Sequence, residues 1–346
     1  MAAIQHPQFL NPMSLRQRRE FESVGLVSPS GEDMARAGVA PRREASFLVD
    51  GSACRAWVYE PATDAPRPAA CIVMAHGLGG TRNASLAPYA ECFAEAGFFV
   101  VLFDYRFLGA SEGEPRQLIS PKRQLEDWQA AIDFARGLPG VDPRRIGLWG
   151  TSLSGGHVVM AAARDSGITA IAAQCPMLDG RASARMAIRR SGFLGTLRMV
   201  SAALTDVLRA AVGASPYYIP LAARDGELAV MSSDAAYAGC HSIVPSDWRN
   251  EVAARILLTM PPYRPVRHAH RVTCPALIIA CAQDTIVSAK AAADTAEKIG
   301  EEARLVVLPI DHFDIYHGRW LEHASTEQVA FFRSALQSGD ASVKAE

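Results

Sequence analysis

Short runs of continuously apolar residues alternate along this chain with longer stretches whose apolar positions recur every three or four residues. Ala70–Ala75, Phe98–Phe103, Arg145–Trp149, Ile168–Gln174, Ala276–Cys281 and Leu305–Leu308 form the short runs. Between them lie Leu86–Ala96 (closed by Gly97), Pro121–Arg136, Gly155–Arg164, Ala289–Ile299 and Thr326–Leu336, all with helical spacing. In Pro121–Arg136 the apolar face is Leu125, Trp128, Ile132 and Ala135. Strands apolar throughout must be covered on both faces. The alternation therefore predicts an α/β chain with a mostly parallel, doubly wound sheet between helices. Ahead of it, Arg43–Gly51 and Ser52–Pro61 predict two strands joined by a turn at Asp50-Gly51.

The alternation breaks once. Roughly ninety residues separate Pro176 from Thr273, far more than usually join neighbouring elements of such a sheet. This stretch has helical patterns of its own, at Ala182–Leu194 and Trp248–Thr259. The expected organisation is a core of residues 43–176 and 273–338, an inserted helical cap of residues 177–272, and an N-terminal extension of residues 1–42 with a short helix around Pro12–Ser23. A cap so placed lies over the strand ends, where ligands bind in open α/β sheets. It is a lid or a purely structural insertion.

Composition narrows the function. A formal net charge of -1 gives no global field toward nucleic acid or an anionic membrane. The first twenty residues lack a secretory apolar stretch, and no segment approaches the ~20 apolar residues of a membrane helix. The seven cysteines are an odd number without a C-x-x-C pair, and several fall in predicted strands as small apolar residues. A cytoplasmic location is expected, and Asn83-Ala84-Ser85 is a chance sequon. The expected partner is a small molecule, with neither nucleic acid nor membrane. A homo-oligomer stays open, and no cofactor or metal is expected.

The chemistry begins at Gly147–His157, where an apolar strand runs into a Gly-rich helix start with Ser152 at the bend. A sharp strand-to-helix turn projects such a serine beyond the sheet and needs small neighbours. The helix start supplies free N–H groups for a developing oxyanion. Ser154 stands where a second glycine of G-x-S-x-G is usual, and is the minor candidate for nucleophile. Ala75–Gly80, directly after a strand, supplies a loop that can approach closely. The oxyanion donors expected are the amides of Leu78 and Leu153. His76 precedes the nucleophile and is a poor base.

The chain order Ser, Asp, His that this architecture uses is completed by Asp284, after Leu277–Gln283, and His312, after Leu305–Ile310. Histidine accepts and returns a proton near neutrality, and the carboxylate fixes its tautomer. Asp179 is the other carboxylate that can serve, and His317 and His323 are the other late histidines. Asp311 and Asp314 lie too close to His312 in sequence and are expected to fix its loop. Asp104-Tyr105-Arg106 is expected to brace the site and His157 to pack in the core. His268 and His270 lack further ligands at metal spacing. In the cap, Arg181, Arg185 and Arg189 share a helical face, either solvated or attracting an anionic substrate. Tyr217, Tyr218, Met231, Tyr237 and Trp248 wall an acyl pocket or form the cap's own core.

His76–Gly80, Phe103–Gly113, Val141–Gly156 and Asp311–Tyr316 together resemble the serine hydrolases of the α/β-hydrolase superfamily. The resemblance is greatest to the dienelactone-hydrolase-like and X-prolyl-peptidase-like branch, with related fungal polyketide transferases, and covers roughly residues 43–180 and 273–336. Ser154 and the cap depart from the pattern. The resemblance implies the α/β-hydrolase fold and a cofactor-independent hydrolase. Its substrate would be a carboxylic ester or lactone, or else a thioester or amide, cleaved through an acyl-enzyme on Ser152. An acyltransferase to an alcohol or amine is the first alternative. A non-catalytic binding protein on the same fold is the second.

Overall fold

The fold is taken from a computed structural model, which describes residues 42–61, 65 and 67–337. The expected N-terminal extension and its Pro12–Ser23 helix thus lie, residue 42 apart, outside the described residues. Strands β1 (Arg42–Val49) and β2 (Ser52–Tyr59) pair antiparallel, with Val49 opposite Ser52. That register leaves Asp50 and Gly51 as a two-residue turn, both at positive φ (47° and 78°), the twist-matched hairpin geometry. Then follow β3 (Ala69–Ala75), α1 (Ala87–Glu95), β4 (Phe99–Phe103), α2 (Pro121–Arg136), β5 (Val141–Thr151), α3 (Leu153–Ala162) and β6 (Ala170–Gln174).

An insertion comes next, carrying α4 (Gly180–Ala211), β7 (Tyr218–Ile219), β8 (Ala222–Ala223), β9 (Met231–Ser232), α5 (Asp234–Ile243), β10 (Val252–Ala253) and α6 (Ile256–Thr259). The chain then returns through β11 (Ala276–Cys281), α7 (Ala289–Ile299), β12 (Ala303–Leu308) and α8 (Gly318–Gln337). The main sheet has eight strands in the order β1-β2-β4-β3-β5-β6-β11-β12. From β4 to β12 every neighbouring pair is parallel, and β2 joins β4 antiparallel.

Alternate residues of each central strand feed opposite faces, so the continuous apolar runs build two cores. Ile72, Met74, Val100, Leu102, Leu277 and Ile279 pack with Tyr89 and Phe93 of α1 and Phe332 and Leu336 of α8. Val73, Val101, Phe103, Leu148, Ile171 and Ile278 pack with Trp128 and Ile132 of α2, Val158 and Val159 of α3, and Ala291 and Ala292 of α7. All seven cysteines are unpaired, and six of them are buried. No helix among the described residues is long and apolar enough to cross a membrane.

The insertion differs most from expectation. The predicted Ala182–Leu194 helix is the first half of α4, which runs for 32 residues and breaks its helical geometry at Gly192 (φ 64°, ψ -170°). Trp248–Thr259 is not one helix. Val252–Ala253 pair with β7, Ala253 N–H bonds Gln117 O (3.0 Å), and Ala254 N–H bonds Tyr217 O (2.9 Å). Backbone groups committed to distant partners cannot close helical turns. The buried carboxylate of Asp206 on α4 fixes the same stretch, accepting from Arg255 N (2.8 Å) and from its guanidinium at 2.6 and 2.9 Å. Helix α5, capped by Ser233 on Ala236 N–H, has no counterpart in the predicted elements.

His157 ties the end of the insertion to the core. Its Nε2 lies 3.0 Å from Gln124 Oε1, an acceptor only, so Nε2 donates there. Nδ1 then accepts from Tyr263 O–H at 2.6 Å. Burial, with His76 and Arg164 nearby, pushes the His157 pKa down to about 3. Below pH 6.5 the unfolded chain therefore binds a proton that the native state refuses, and stability falls as pH falls until about 3. Between pH 7 and pH 5 the wild type should lose about 2 kcal/mol more than His157→Gln, measured by urea unfolding at both pH values. Parallel curves for the two proteins would show that His157 is not held neutral.

Candidate active site

Strand β5 ends at Thr151 and α3 begins at Leu153, so Ser152 alone makes the turn, at φ 54° and ψ -118°. An L residue holds that conformation only when its surroundings impose it. Here Ser152 N–H donates to Gln174 O (2.9 Å) on β6, and Ser152 O accepts from Met177 N–H (2.8 Å). The backbone around the turn leaves no room for side chains. A Cβ on Gly77 would sit 2.9 Å from Ser152 Cβ, one on Gly150 2.2 Å from Ser154 O, and one on Gly155 2.6 Å from Pro176 Cβ.

Ser152 Oγ lies 3.1 Å from His312 Nε2, and His312 Nδ1 lies 2.6 Å from Asp284 Oδ2. A carboxylate only accepts, so Nδ1 carries a proton, and in the neutral imidazole Nε2 accepts from the serine hydroxyl. The second oxygen of Asp284 is occupied too, accepting from Ile286 N–H and Val287 N–H, both at 2.8 Å. Asp311 Oδ1 takes the amides of His312 (2.7 Å) and Thr285 (3.2 Å), which locks the two loops together. Asp314 in turn accepts from Asp311 N–H (2.9 Å). Burial of His312 opposes its charge, but the adjacent Asp284 carboxylate, then Cys175, outweigh this and hold its pKa well above 6.5. A hydroxyl, an imidazole and a carboxylate so joined can carry a proton off the hydroxyl oxygen as it attacks.

Leu153 opens α3 and Leu78 lies on the loop after β3; among the described residues neither amide donates to another group. The Leu78 loop is held by a directional chain that sequence reasoning missed. Ser154 Oγ–H donates to His76 O, so the hydrogen between Tyr105 and Ser154 comes from the phenol. Trp128 Nε1–H in turn donates to Tyr105 Oη at 2.7 Å. Burial raises the Tyr105 pKa, keeping the phenol protonated for this role. Ser154 thus points away from His312. The insertion grips the loop from outside: Trp248 Nε1–H donates to Gly79 O (2.7 Å), and a Cβ on Gly79 would sit 2.2 Å from Leu221 Cδ1.

Two cavities meet at Ser152. The larger, about 190 Å³, is walled by Leu78, Leu153, Met186, Met199, Met231 and Ile286 among others. The smaller, about 40 Å³, is walled by His312, Phe313, Tyr316, Ile243, Val244 and Trp248 among others. Leu78, Ser152 and Met231 border both.

The remaining candidates lie elsewhere. Asp179 caps α4 and pairs with Arg264 at 2.6 Å. His317 Nε2 meets Ser242 Oγ at 2.9 Å, and His323 packs its ring edge near Trp320. His76 is buried, bends toward Asp104 at 3.8 Å and has its pKa lowered by burial. Tyr105 joins the site as described, while Asp104 accepts from Arg82 N–H (2.7 Å) and Arg106 pairs with Asp50, Glu126 and Asp127. No group of three metal-ligating side chains occurs among the described residues. Arg181, Arg185 and Arg189 are exposed and border neither cavity, whereas the unflagged Arg190 borders the larger one. Tyr217, Tyr218 and Tyr237 border neither cavity; Met231 borders both, and Trp248 the smaller.

With this geometry in hand, the chain can be set beside known proteins. It is 40% identical over 282 residues to the quorum-quenching protein AidA of Acinetobacter baumannii, an overlap of 81% of this chain and 90% of that one. It is 30% identical over 193 residues to the polyketide transferase grgF of a Penicillium species, covering 56% of this chain and 61% of the relative. The crystal structure of the α/β hydrolase GrgF from Penicillium sp. sh18 superposes with a TM-score of 0.72 at 22% identity, across 86% of this chain and 99% of that chain. That likeness carries the α/β-hydrolase fold. The X-Pro dipeptidyl-peptidase (S15) family profile matches residues 50–314. The chain therefore belongs to the S15 family of α/β hydrolases.

Proposed function

We propose that this protein is a serine acyl hydrolase that cleaves a carboxylic ester or lactone, with thioesters and amides in the same chemical reach. The observation that carries the reading is the continuous hydrogen-bonded path from Ser152 Oγ through His312 to Asp284. It stands beside two uncommitted amides, Leu78 and Leu153, that border the same cavity. The name of one relative, a polyketide transferase, supports acyl chemistry on a small molecule. The unpaired cysteines support a reducing, cytoplasmic location. We read the insertion, residues 177–272, as a cap over the site.

In the proposed cycle Ser152 Oγ attacks the carbonyl carbon while His312 Nε2 takes its proton. The amides of Leu78 and Leu153 hold the oxyanion, and Asp284 stabilises the imidazolium. Collapse breaks the bond to the leaving oxygen, to which His312 returns the proton, leaving an acyl group on Ser152. Water, giving a proton to His312, then attacks the acyl-enzyme, and the acid departs as Ser152 regains its hydrogen. The transferase-named relative favours a second reading in which an alcohol or amine takes the place of water. Under hydrolysis, product partition stays constant as an added alcohol rises; under transfer, ester product grows at the expense of acid.

A fluorophosphonate probe should label Ser152, located by mass spectrometry. Ser152→Ala should abolish labelling and His312→Ala should slow it strongly. Ser154→Ala, which loses one loop-holding hydrogen bond, should still label at Ser152, roughly tenfold more slowly. Labelling at Ser154 would move the nucleophile and sink the assignment, and no labelling of folded protein would leave a binding role. The base works only when neutral, so kcat/KM should rise as pH increases through the raised pKa of His312, with its acidic limb above pH 6.5. Asp284→Asn removes the charge that raises it. The limb should then move to lower pH, and kcat should fall by about ten-thousand-fold. An unmoved limb would mean that Asp284 does not face the base in solution.

A further inference from the structure

The two cavities are chemically unequal. His312 borders the smaller and not the larger, whereas Leu153 and the Asp284 loop (Thr285, Ile286 and Val287) border the larger and not the smaller. In a tetrahedral adduct on Ser152, one substituent is the oxyanion and one is the leaving group, which must lie within reach of His312 to be protonated. The remaining substituent is the acyl chain. If the leaving group occupies the side bordered by His312, the acyl chain is directed into the other cavity.

The walls then state what each substituent can be. The larger cavity is lined by Met177, Met186, Met199, Met231 and Met260 with aliphatic neighbours and several serines and threonines, and among the described residues Arg190 is its one ionisable side chain. Methionine is a flexible, polarisable lining that accommodates an extended hydrocarbon. A cavity of about 190 Å³ compares with about 150 Å³ for one that takes benzene, so it holds an acyl chain of roughly eight carbons. Among the described residues no carboxylate borders either cavity. A dipeptidyl substrate brings an α-ammonium that is charged near neutrality, and here it would meet only a guanidinium. The smaller cavity, about 40 Å³, has room for a few heavy atoms. Tyr316 and Trp248 on its wall already spend their polar groups on Thr151 and Gly79.

The geometry points to a neutral medium-chain acyl substrate: a straight apolar acyl group of roughly eight carbons enters the Met-lined cavity, and a short uncharged leaving group sits beside His312. The selectivity is thus set by the insertion and differs from the peptide specificity that names the family. This inference rests on the Ser152 reading above.

The test uses the full chain and two ester series followed by titration of released acid. Methyl esters of acids from two to twelve carbons vary the acyl side; octanoate esters of methanol through hexanol vary the leaving side. Across the first series kcat/KM should rise up to about fourfold per methylene and level off near eight carbons. Across the second it should be flat or fall. Met199→Trp should cut the ratio of kcat/KM for methyl octanoate to that for methyl acetate by more than about tenfold, because it fills the larger cavity. Ile243→Trp should keep the acyl profile and steepen the fall with longer alcohols. A chain-length optimum on the alcohol side, Met199→Trp altering alcohol preference, or Ala-Pro-p-nitroanilide cleaved as well as methyl octanoate would overturn the proposal. Fluorophosphonate titration of the same preparations separates the two levels: unlabelled Ser152 overturns both, while labelled Ser152 with the wrong chain-length pattern overturns this one alone.

Discussion

The site hangs on a crowded backbone turn. A single residue, Ser152, carries the chain from β5 into α3 at positive φ, and the atoms around it leave no space for relaxation. On one side Gly77 approaches to where a methyl group would touch Ser152 Cβ; beneath, Gly150 and Gly155 lie against Ser154 and Pro176. The strain is tolerable because the turn is bonded into the sheet, to Gln174 and Met177, rather than hanging from it. Each glycine is therefore a condition on the hydroxyl's position. A loop that could not come as near as Gly77 does would leave the Leu78 amide too distant from any atom bonded to Ser152.

Fixing the serine is of no use unless the Leu78 loop is fixed relative to it, and three different forces do that. From inside, the Trp128–Tyr105–Ser154 chain ends on His76 O, so the residue replacing the usual second glycine is a tether as well as a small side chain. From the insertion, the Trp248 indole holds Gly79 O and Leu221 occupies the space a side chain at Gly79 would need. The turn itself supplies the third. The insertion is thus coupled to the Leu78 loop by a hydrogen bond and by packing. A displacement of Trp248 or Leu221 would be felt first at Leu78, before it changed any contact with an acyl chain.

The parallel sheet was legible because its strands are apolar on both faces, a local pattern independent of partners. Ser152, Asp284 and His312 were legible from chain order and strand ends, and the coordinates bring the three within hydrogen-bond reach. What could not be read is whatever depends on distant pairing. The expected Trp248–Thr259 helix fails because Ala253, Ala254 and Arg255 give their amides to Gln117, Tyr217 and Asp206, none of which is near in sequence. The expected helix ends at Leu194, whereas α4 kinks at Gly192 and continues to Ala211, since a break in periodicity does not say whether a helix ends or kinks. The methionines of the larger cavity carry no signal of their own. Met186, Met199 and Met260 become neighbours only after α4 and the Met260 turn fold back over Ser152.

That division has a consequence for how family membership constrains substrate. The hydroxyl, imidazole and carboxylate all come from the ends of β5, β11 and β12, whose positions the sheet dictates. The cavity walls, by contrast, come largely from α4, the β9 region, α5 and the turn at Met260, all within the insertion. A family defined on the sheet can thus share these three groups while its members differ in what they admit. For this chain the proposed selectivity is electrostatic: with no carboxylate among the described residues of either wall, a free peptide N-terminus would surrender its hydration and gain no anionic partner there. A hydrocarbon chain loses nothing on entering the same space and gains about 0.8 kcal/mol for each methylene removed from water.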